Sequence, residues 1–109
     1  MTGFPPAVRA IIQERSQGVC EFCGKQRGVE IHHRRPRGAG GSKRADTNTA
    51  SNGLHLCSEC HRWAESHRTE ALLAGVLVLQ IDSPLKAAVL YRGTYVHLDD
   101  AGNLVEKAA

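Results

Sequence analysis

Aromatic residues are scarce in this chain of 109 residues: two Phe, two Tyr and one Trp make up 5% of the sequence. A domain of this length buries only roughly two-thirds of its unfolded surface on folding, so a purely hydrophobic core would be thin. A structural metal would supply a second source of folding free energy. The four cysteines are the candidate ligands for it.

Long apolar runs are also missing. No stretch reaches the roughly 18 to 20 residues that a membrane-spanning helix needs. The first residues, MTGFPPAVRAII, lack the charged-then-apolar order of a signal peptide. We therefore expect a cytoplasmic protein with no membrane partner. In a reducing compartment, Cys-x-x-Cys pairs hold metal more often than they form disulfides.

The cysteines form two such pairs, Cys20 with Cys23 and Cys57 with Cys60. Two pairs can supply the four thiolates of a closed tetrahedral zinc site. A closed site leaves no position for water, so this zinc should be structural and should not activate a nucleophile. Unconnected thiols and an iron-sulfur cluster are the alternatives.

Local patterns predict a helix, a hairpin around a long loop, and a second helix. Pro5 and Pro6 can open the first helix, which Gly18 would end. Short strands are predicted near 29–32 and 54–57, separated by a loop of glycines, small polar residues and charges. Ser58 can cap the second helix, over about residues 59–67, and 69–74 can add another turn.

From Gly75 onward the pattern changes to alternating, β-branched segments. They read VLVLQI over 76–81, AAVLYRGTYVHL over 87–98 with a turn at Arg92 and Gly93, and then DDAGNLVE. The expected fold class is α+β. Residues 1–74 would form the zinc-stapled core with its N-terminal helix, and residues 75–109 a short antiparallel β extension of the same domain.

The formal net charge of +3 says little about partners, but its distribution says more. Positions 32–44 read HHRRPRGAGGSKR and hold five cations: Arg34, Arg35, Arg37, Lys43 and Arg44. A cluster of this kind attracts a polyanion such as the DNA backbone. It can also be a solvated loop, and the sequence leaves both interpretations open.

Between the cysteine pairs lie 33 residues, more than the roughly 15 to 20 of a simple zinc ribbon. This insert carries His32 and His33 at its start and Asn52 near its end, and His61 follows the last cysteine. A neutral imidazole such as His33 can take a proton from water near pH 7, while His32 and His61 could hold a cation beside a phosphate. Neighbouring strand residues point to opposite faces, however, so His32 and His33 would need a distorted strand end or different approaches to the phosphate.

The segments IHHRRPRGAGG and TASNGLHLCSECH together resemble the His-Asn-His (HNH) nuclease family, whose fold is called ββα-metal or His-Me finger. The resemblance covers roughly residues 18–68 and is greatest to small bacteriophage endonucleases. It implies metal-dependent hydrolysis of DNA phosphodiester bonds, leaving 5'-phosphate and 3'-hydroxyl ends. It also implies phage DNA processing or packaging in the host cytoplasm, beside terminase or portal proteins.

By position, the resemblance implies that His33 is the general base and that His32 and His61 bind the catalytic metal. Asn52 matches the asparagine that pins the loop and keeps the base oriented. Many family members have Asp where this chain has His32. A site richer in nitrogen should accept Mn²⁺, Ni²⁺, Co²⁺ or Zn²⁺ as well as Mg²⁺.

Other polar residues have simpler interpretations. His67 is a further candidate metal ligand, although six residues of helix place it on a different face from His61, whereas Glu65 shares the His61 face. His55 should face away from the core. Asn48 could be mistaken for the motif asparagine, but the spacing to Cys57 favours Asn52.

Two alternatives to a nuclease remain: a zinc-stabilised module that binds nucleic acid without cleaving it, and an adaptor in a phage particle.

Overall fold

The computed structural model describes residues 3–36 and 44–108. Three helices and two small antiparallel sheets occur in this part of the chain, which makes it an α+β fold. The helices are α1 (Pro6–Ser16), α2 (Ser58–Ser66) and α3 (Arg68–Leu73), and a single 3-10 turn spans Ala50–Asn52. No helix among the described residues is long and apolar enough to cross a membrane.

The first sheet is a hairpin of β1 (Glu30–His33) and β2 (Gly53–Leu56). Glu30 pairs with Leu56 at one end and His33 with Gly53 at the other. The long loop therefore leaves the hairpin directly after His33 and returns through the 3-10 turn. Both strands were expected from the sequence, with β1 placed one residue earlier than it is.

Helix α2 begins one residue earlier than predicted. Its N-cap is Cys57, not Ser58, because the Cys57 sulfur accepts a hydrogen bond from the amide of Cys60. The same sulfur thus belongs both to the helix cap and to the cysteine cluster. This arrangement fixes the start of α2, and with it His61, relative to the four cysteines.

The second sheet contains β3 (Val89–Tyr91), β4 (Thr94–Leu98) and β5 (Leu104–Glu106) in that order. The turn at Arg92 and Gly93 was expected, and both residues have positive φ there. The predicted strand over 76–81 is wrong. The amides of Val76 and Leu77 both bond to the carbonyl of Ala71 at the end of α3, so they are not available to a sheet.

Residues after position 75 fill the main hydrophobic core. Val76, Val89 and Leu98 are buried in one cluster with Leu54 and Leu56 of the hairpin. The first helix packs on the opposite side, where Ile12 is buried with Phe4 and Ala50. The C-terminal segment is thus part of the packing that supports β2, which carries the returning end of the long loop.

Candidate functional site

The four cysteines converge in the structure. The Sγ atoms of Cys20, Cys23, Cys57 and Cys60 all lie within 4.8 Å of one another, and none forms a disulfide. Backbone amides point at the cluster, since Lys25 N lies 3.4 Å from the Cys23 sulfur and Cys60 N lies 3.4 Å from the Cys57 sulfur. Four thiols in this arrangement suit a closed tetrahedral zinc site.

One of these thiols, Cys23, has a lowered pKa. Burial works to raise the pKa of Cys23, but hydrogen bonds from the Lys25 and Gln26 backbone and from the neighbouring thiols outweigh it and lower the pKa to about 7. A thiolate is the form of cysteine that binds metal. Cys23 is therefore about half ionised at neutral pH, whereas burial raises the pKa values of Cys57 and Cys60.

His32 is buried beside the core, with 7% of its surface exposed. Its Nε2 lies 3.1 Å from the carbonyl oxygen of Val76, which can only accept, so Nε2 carries the proton and the lone pair of a neutral ring lies on Nδ1. Burial, together with the nearby His61, His33 and Arg34, lowers the pKa of His32 to about 4. The ring is therefore neutral at pH 7.

His61 faces His32 across the site. The two rings meet edge to face, with centroids 5.3 Å apart. Nδ1 of His61 lies 2.9 Å from a Glu30 carboxylate oxygen, and Nε2 lies 3.6 Å from an oxygen of Glu65. A carboxylate on one ring nitrogen fixes the orientation of an imidazole and leaves the other nitrogen for a ligand.

His33 occupies the last position of β1. Its Nε2 lies 2.8 Å from Oδ1 of Asn48, and its ring stacks on Phe4 with centroids 4.2 Å apart and an interplanar angle of 17°. The His33 side chain is therefore held by Asn48 of the long loop on one side and by Phe4, which lies before α1, on the other.

Asn52 is fully buried at the end of the 3-10 turn. Its Oδ1 accepts from the amide of Arg35 at 2.7 Å, and its Nδ2 donates to the carbonyls of Arg35 and Thr47 at 3.1 and 2.8 Å. These bonds tie the chain just after His33 to the chain just before β2. Asn52 makes them with backbone groups two residues beyond His33, not with its ring.

One surface cavity brings the three histidines together. It is lined by Ile31, His32, His33, Pro36, His61, Glu65, Arg68 and Leu77. His32 and His33 contact different partners, as neighbouring strand positions should, yet both reach this cavity because it opens at the end of β1. Within residues 3–36 and 44–108, the only group of three or more close metal-ligating side chains is the cysteine cluster.

The chain is similar to one part of a restriction enzyme. Over 86 aligned residues it is 31% identical to the "Type IV methyl-directed restriction enzyme EcoKMcrA" of Escherichia coli (strain K12). The alignment covers 71% of this chain but 29% of that enzyme, so the chain spans less than a third of the relative's length. No protein-family model matches the chain, and no solved structure matches it significantly.

Two of the arginines expected at a DNA surface lie inside the protein. Arg34 is fully buried, and its guanidinium donates to the carbonyls of Gly75, Ser51, Pro84 and Ala87. Burial lowers the pKa of Arg34 to about 9, so it stays charged at neutral pH. The sequence left open whether this segment binds a polyanion or is a solvated loop, and Arg34 does neither, because its guanidinium is buried against backbone carbonyls.

Arg35 is likewise 4% exposed; it pairs with Asp46 and donates to the carbonyl of Asp82 at 2.9 Å. Arg37 and Lys43 lie outside the described residues. Arg44 is exposed, and its guanidinium contacts the Gln80 carbonyl. Of the three cations in this segment that the structure describes, Arg44 is thus the exposed one.

Two further histidines have clear positions. The His67 ring stacks against Trp63 and bonds to Ser66, and it does not line the cavity of His32 and His61. His55 was expected to face away from the core, and it belongs to neither hydrophobic cluster, but its side of the strand is covered. It is 7% exposed, and its Nδ1 lies 2.8 Å from the buried Ser16 hydroxyl, because residues 16–28 cover that face of the hairpin.

Sequence patterns assigned no role to four residues that surround the site. Asn48 and Phe4 hold His33, Glu30 holds His61, and Arg68 lines the cavity. Glu30 carried a usable signal, because β1 alternation places it on the same face as His32. Phe4 and Asn48 reach His33 through tertiary contacts that no local spacing indicates.

Proposed function

We propose that this chain is a metal-dependent endonuclease that hydrolyses DNA phosphodiester bonds, with His33 as the general base. The observation that carries the proposal is the cavity at the end of β1, where His32, His33 and His61 meet. The similarity to a restriction enzyme supports the same class of reaction. The motifs of the HNH family, quoted above, supply the type of site.

The donor set around the cavity suits a divalent cation. The Nδ1 lone pair of neutral His32 and the Nε2 of His61 are two nitrogen ligands, and the carboxylate of Glu65 lies next to the second. Imidazoles with a carboxylate suit Mn²⁺, Co²⁺, Ni²⁺ or Zn²⁺ and tolerate Mg²⁺ less well. When bound, such a cation would act as a Lewis acid and stabilise negative charge on the phosphate and the leaving oxygen.

The protein's own residues would perform the remaining steps. His33, held by Asn48 and Phe4, would take a proton from the attacking water. Asn52 would keep the strand end in place through the backbone of Arg35. Glu30 would hold the His61 ring with its Nε2 toward the cavity. The expected products are 5'-phosphate and 3'-hydroxyl ends.

The test is conversion of supercoiled plasmid by purified zinc-loaded protein, with Mg²⁺, Mn²⁺, Co²⁺, Ni²⁺ or Zn²⁺ added or with no added metal. We expect metal-dependent nicking or linearisation, lowered by roughly 100-fold or more in His33→Ala, the usual range for loss of a general base. His61→Ala should also lose activity. His97→Ala is the matched control, because His97 lies on β4 in the second sheet.

The controls separate chemistry from folding. Zinc content and urea unfolding should be the same in His33→Ala, His97→Ala and the wild type. Absence of cleavage in every metal would overturn the proposal in favour of a module that only binds nucleic acid. Because the relative is methyl-directed, methylated and unmethylated plasmids should both be used; methyl recognition is not proposed for this chain.

DNA contact is proposed for Arg44, which is exposed, and for Arg37 and Lys43, which lie outside the described residues. Phosphate contacts release counterions, so binding should fall steeply as salt rises. Replacing Lys43 and Arg44 with Ala should reduce the slope of log affinity against log salt by about 2. The double change of Lys86 and Lys107, two exposed lysines elsewhere, is the control. A flat salt response in the wild type would remove this part of the proposal.

The phage role expected from the resemblance has no support in the comparison with the restriction enzyme. Terminase or portal partners, and work in genome packaging, therefore stand outside the proposal. The alternative of an adaptor in a phage particle likewise has no support in that comparison.

A further inference from the structure

We propose that Asn48 is a positioning residue for His33, fixing which ring nitrogen of the base can accept a proton. This inference rests on the proposed nuclease function. It assigns a role to the asparagine that the motif spacing set aside in favour of Asn52. The two asparagines would have different roles: Asn52 would bind the backbone at the two ends of the loop, and Asn48 would bind the ring of the base.

The hydrogen bond from His33 to Asn48 sets the tautomer of the imidazole. An amide carbonyl oxygen can only accept, so the Nε2 that lies 2.8 Å from Oδ1 of Asn48 must carry the proton. In a neutral ring the lone pair is then on Nδ1. A base with its proton fixed on Nε2 has one defined nitrogen, Nδ1, that can accept a proton, and defining that nitrogen is the purpose of an orienting partner in acid–base catalysis.

Phe4 restricts the ring in a second way. The two rings lie nearly parallel at 4.2 Å, and Phe4 itself is buried in the cluster with Ile12 and Ala50. A stacked wall limits tilt of the imidazole but permits a half-turn rotation about the Cβ–Cγ bond, which exchanges the two edges of the ring. The bond to Asn48 removes that rotation. Each contact therefore controls a motion that the other does not.

The position of Asn48 is itself secured by Asn52. The carbonyl of Thr47, the residue before Asn48, accepts a hydrogen bond from Nδ2 of Asn52 at 2.8 Å. The amide of Asn52 also bonds to the carbonyl of Thr49, the residue after Asn48, at 3.0 Å. The backbone on both sides of Asn48 is thus anchored to one buried side chain and its turn.

The variants for the test are Asn48→Leu, which keeps the size and removes the acceptor, and Asn48→Asp, which keeps the acceptor. Asn103→Leu is the matched control, because Asn103 makes its side-chain hydrogen bond to Asp99 in an exposed turn. If Asn48→Leu fails to fold, Asn48→Ala replaces it. Zinc content and unfolding curves show that the compared proteins are folded.

The first readout is the nitrogen-bound ring proton of His33, observed by NMR in zinc-loaded protein without added catalytic metal. A hydrogen-bonded Nε2 proton exchanges slowly with water. We expect its signal in the wild type, Asn48→Asp and Asn103→Leu, and its loss in Asn48→Leu. A signal on Nδ1 in the wild type, or an unchanged Nε2 signal in Asn48→Leu, would overturn the assignment.

The second readout is plasmid cleavage. Loss of an orienting partner typically lowers activity roughly 10- to 100-fold. We expect this loss in kcat for Asn48→Leu with KM nearly unchanged, because Asn48 contacts the base and not the DNA. A wild-type kcat, or a change in KM alone, would overturn the inference. If the ring proton behaves as expected but the wild type cleaves in no metal, the nuclease proposal fails while the hydrogen bond to Asn48 stands.

Discussion

Asn52 bonds to both backbone groups of Arg35: the Arg35 amide donates to Oδ1 at 2.7 Å, and Nδ2 donates to the Arg35 carbonyl at 3.1 Å. The side-chain amide of Asn52 thus bonds to the N–H and C=O of Arg35 as the backbone of a neighbouring β-strand would. It joins the two ends of the loop where β1 stops, and it thereby determines where His33 and the chain after it lie.

Replacing Asn52 should therefore cost stability as well as activity. Asn52→Ala leaves buried backbone groups of Arg35 and Thr47 without partners, and each such group costs roughly 1 to 3 kcal/mol. We expect the free energy of unfolding to fall by about 2 to 4 kcal/mol. Urea unfolding measures it, with Asn103→Ala on an exposed turn as the control. Equal stability of Asn52→Ala and wild type would show that the loop is held by other contacts.

Arg34 is expected to be among the residues most important for stability. Its guanidinium donates to four carbonyls, three of them after residue 74. Arg34→Met should lower the free energy of unfolding by about 3 to 5 kcal/mol, enough to unfold a domain of this size in part. Arg34→Lys keeps the charge but not the planar fork, so it should restore only part of the loss.

The control for Arg34 is Arg62→Met, because Arg62 is exposed on α2. Thermal or urea unfolding of the three variants and the wild type distinguishes a packing role from a surface role. If Arg34→Met were as stable as Arg62→Met while losing DNA affinity, the burial of Arg34 would not describe the protein in solution.

Local patterns predicted the hairpin, α2 and the cysteine cluster because each depends on short-range spacing. Alternation in β1 and β2 and the two-residue spacing within each Cys-x-x-Cys pair are local patterns. The segment 76–81 was predicted as a strand because its residues alternate like one, but the amides of Val76 and Leu77 bond to the end of α3 and the amide of Val78 bonds to the carbonyl of Arg34. Arg34 looked like a surface charge because nothing in its neighbourhood shows that distant carbonyls at 75, 84 and 87 surround it.

The residues that contact His33 could not be predicted from the sequence either. Phe4 precedes α1 and Asn48 lies within the long loop, so their contacts exist only after the hairpin, loop and helix have packed. Sequence patterns identified which residues have the right chemistry. The tertiary structure shows which other side chains orient them.

The buried neutral His32 predicts loss of stability in mild acid. Its pKa is lowered from 6.5 to about 4 by burial, so below pH 6.5 the unfolded chain takes up a proton that the folded protein does not. Neutral His32 makes its full contribution to the free energy of unfolding above pH 6.5. About 3 kcal/mol of that free energy is lost as the pH falls from 6.5 to 4. Urea unfolding at several pH values measures it.

The comparison for this pH effect is His32→Gln, whose amide can still donate to Val76 but does not titrate. Acid also protonates the cysteines in both proteins, so the difference between the two curves is the relevant quantity. If the free energy of unfolding changed with pH in the same way in wild type and His32→Gln, His32 would be protonated in the folded protein.

The cysteine cluster predicts that folding depends on zinc. Cys20 and Cys57 are buried in the main core, and the Cys57 sulfur also caps α2. Removal of the metal therefore disrupts both the packing and the start of the helix that carries His61. In small metal domains the binding free energy is a large part of the folding free energy.

We expect one zinc ion per chain in the purified wild type and less in Cys57→Ser, with loss of helical signal and of cooperative unfolding. Ser58→Ala, an exposed change at the neighbouring position, should retain both zinc and fold. Elemental analysis with circular dichroism makes the measurement. A Cys57→Ser protein that lacks zinc but unfolds at the wild-type midpoint would mean that the hydrophobic core suffices and the cluster has another purpose.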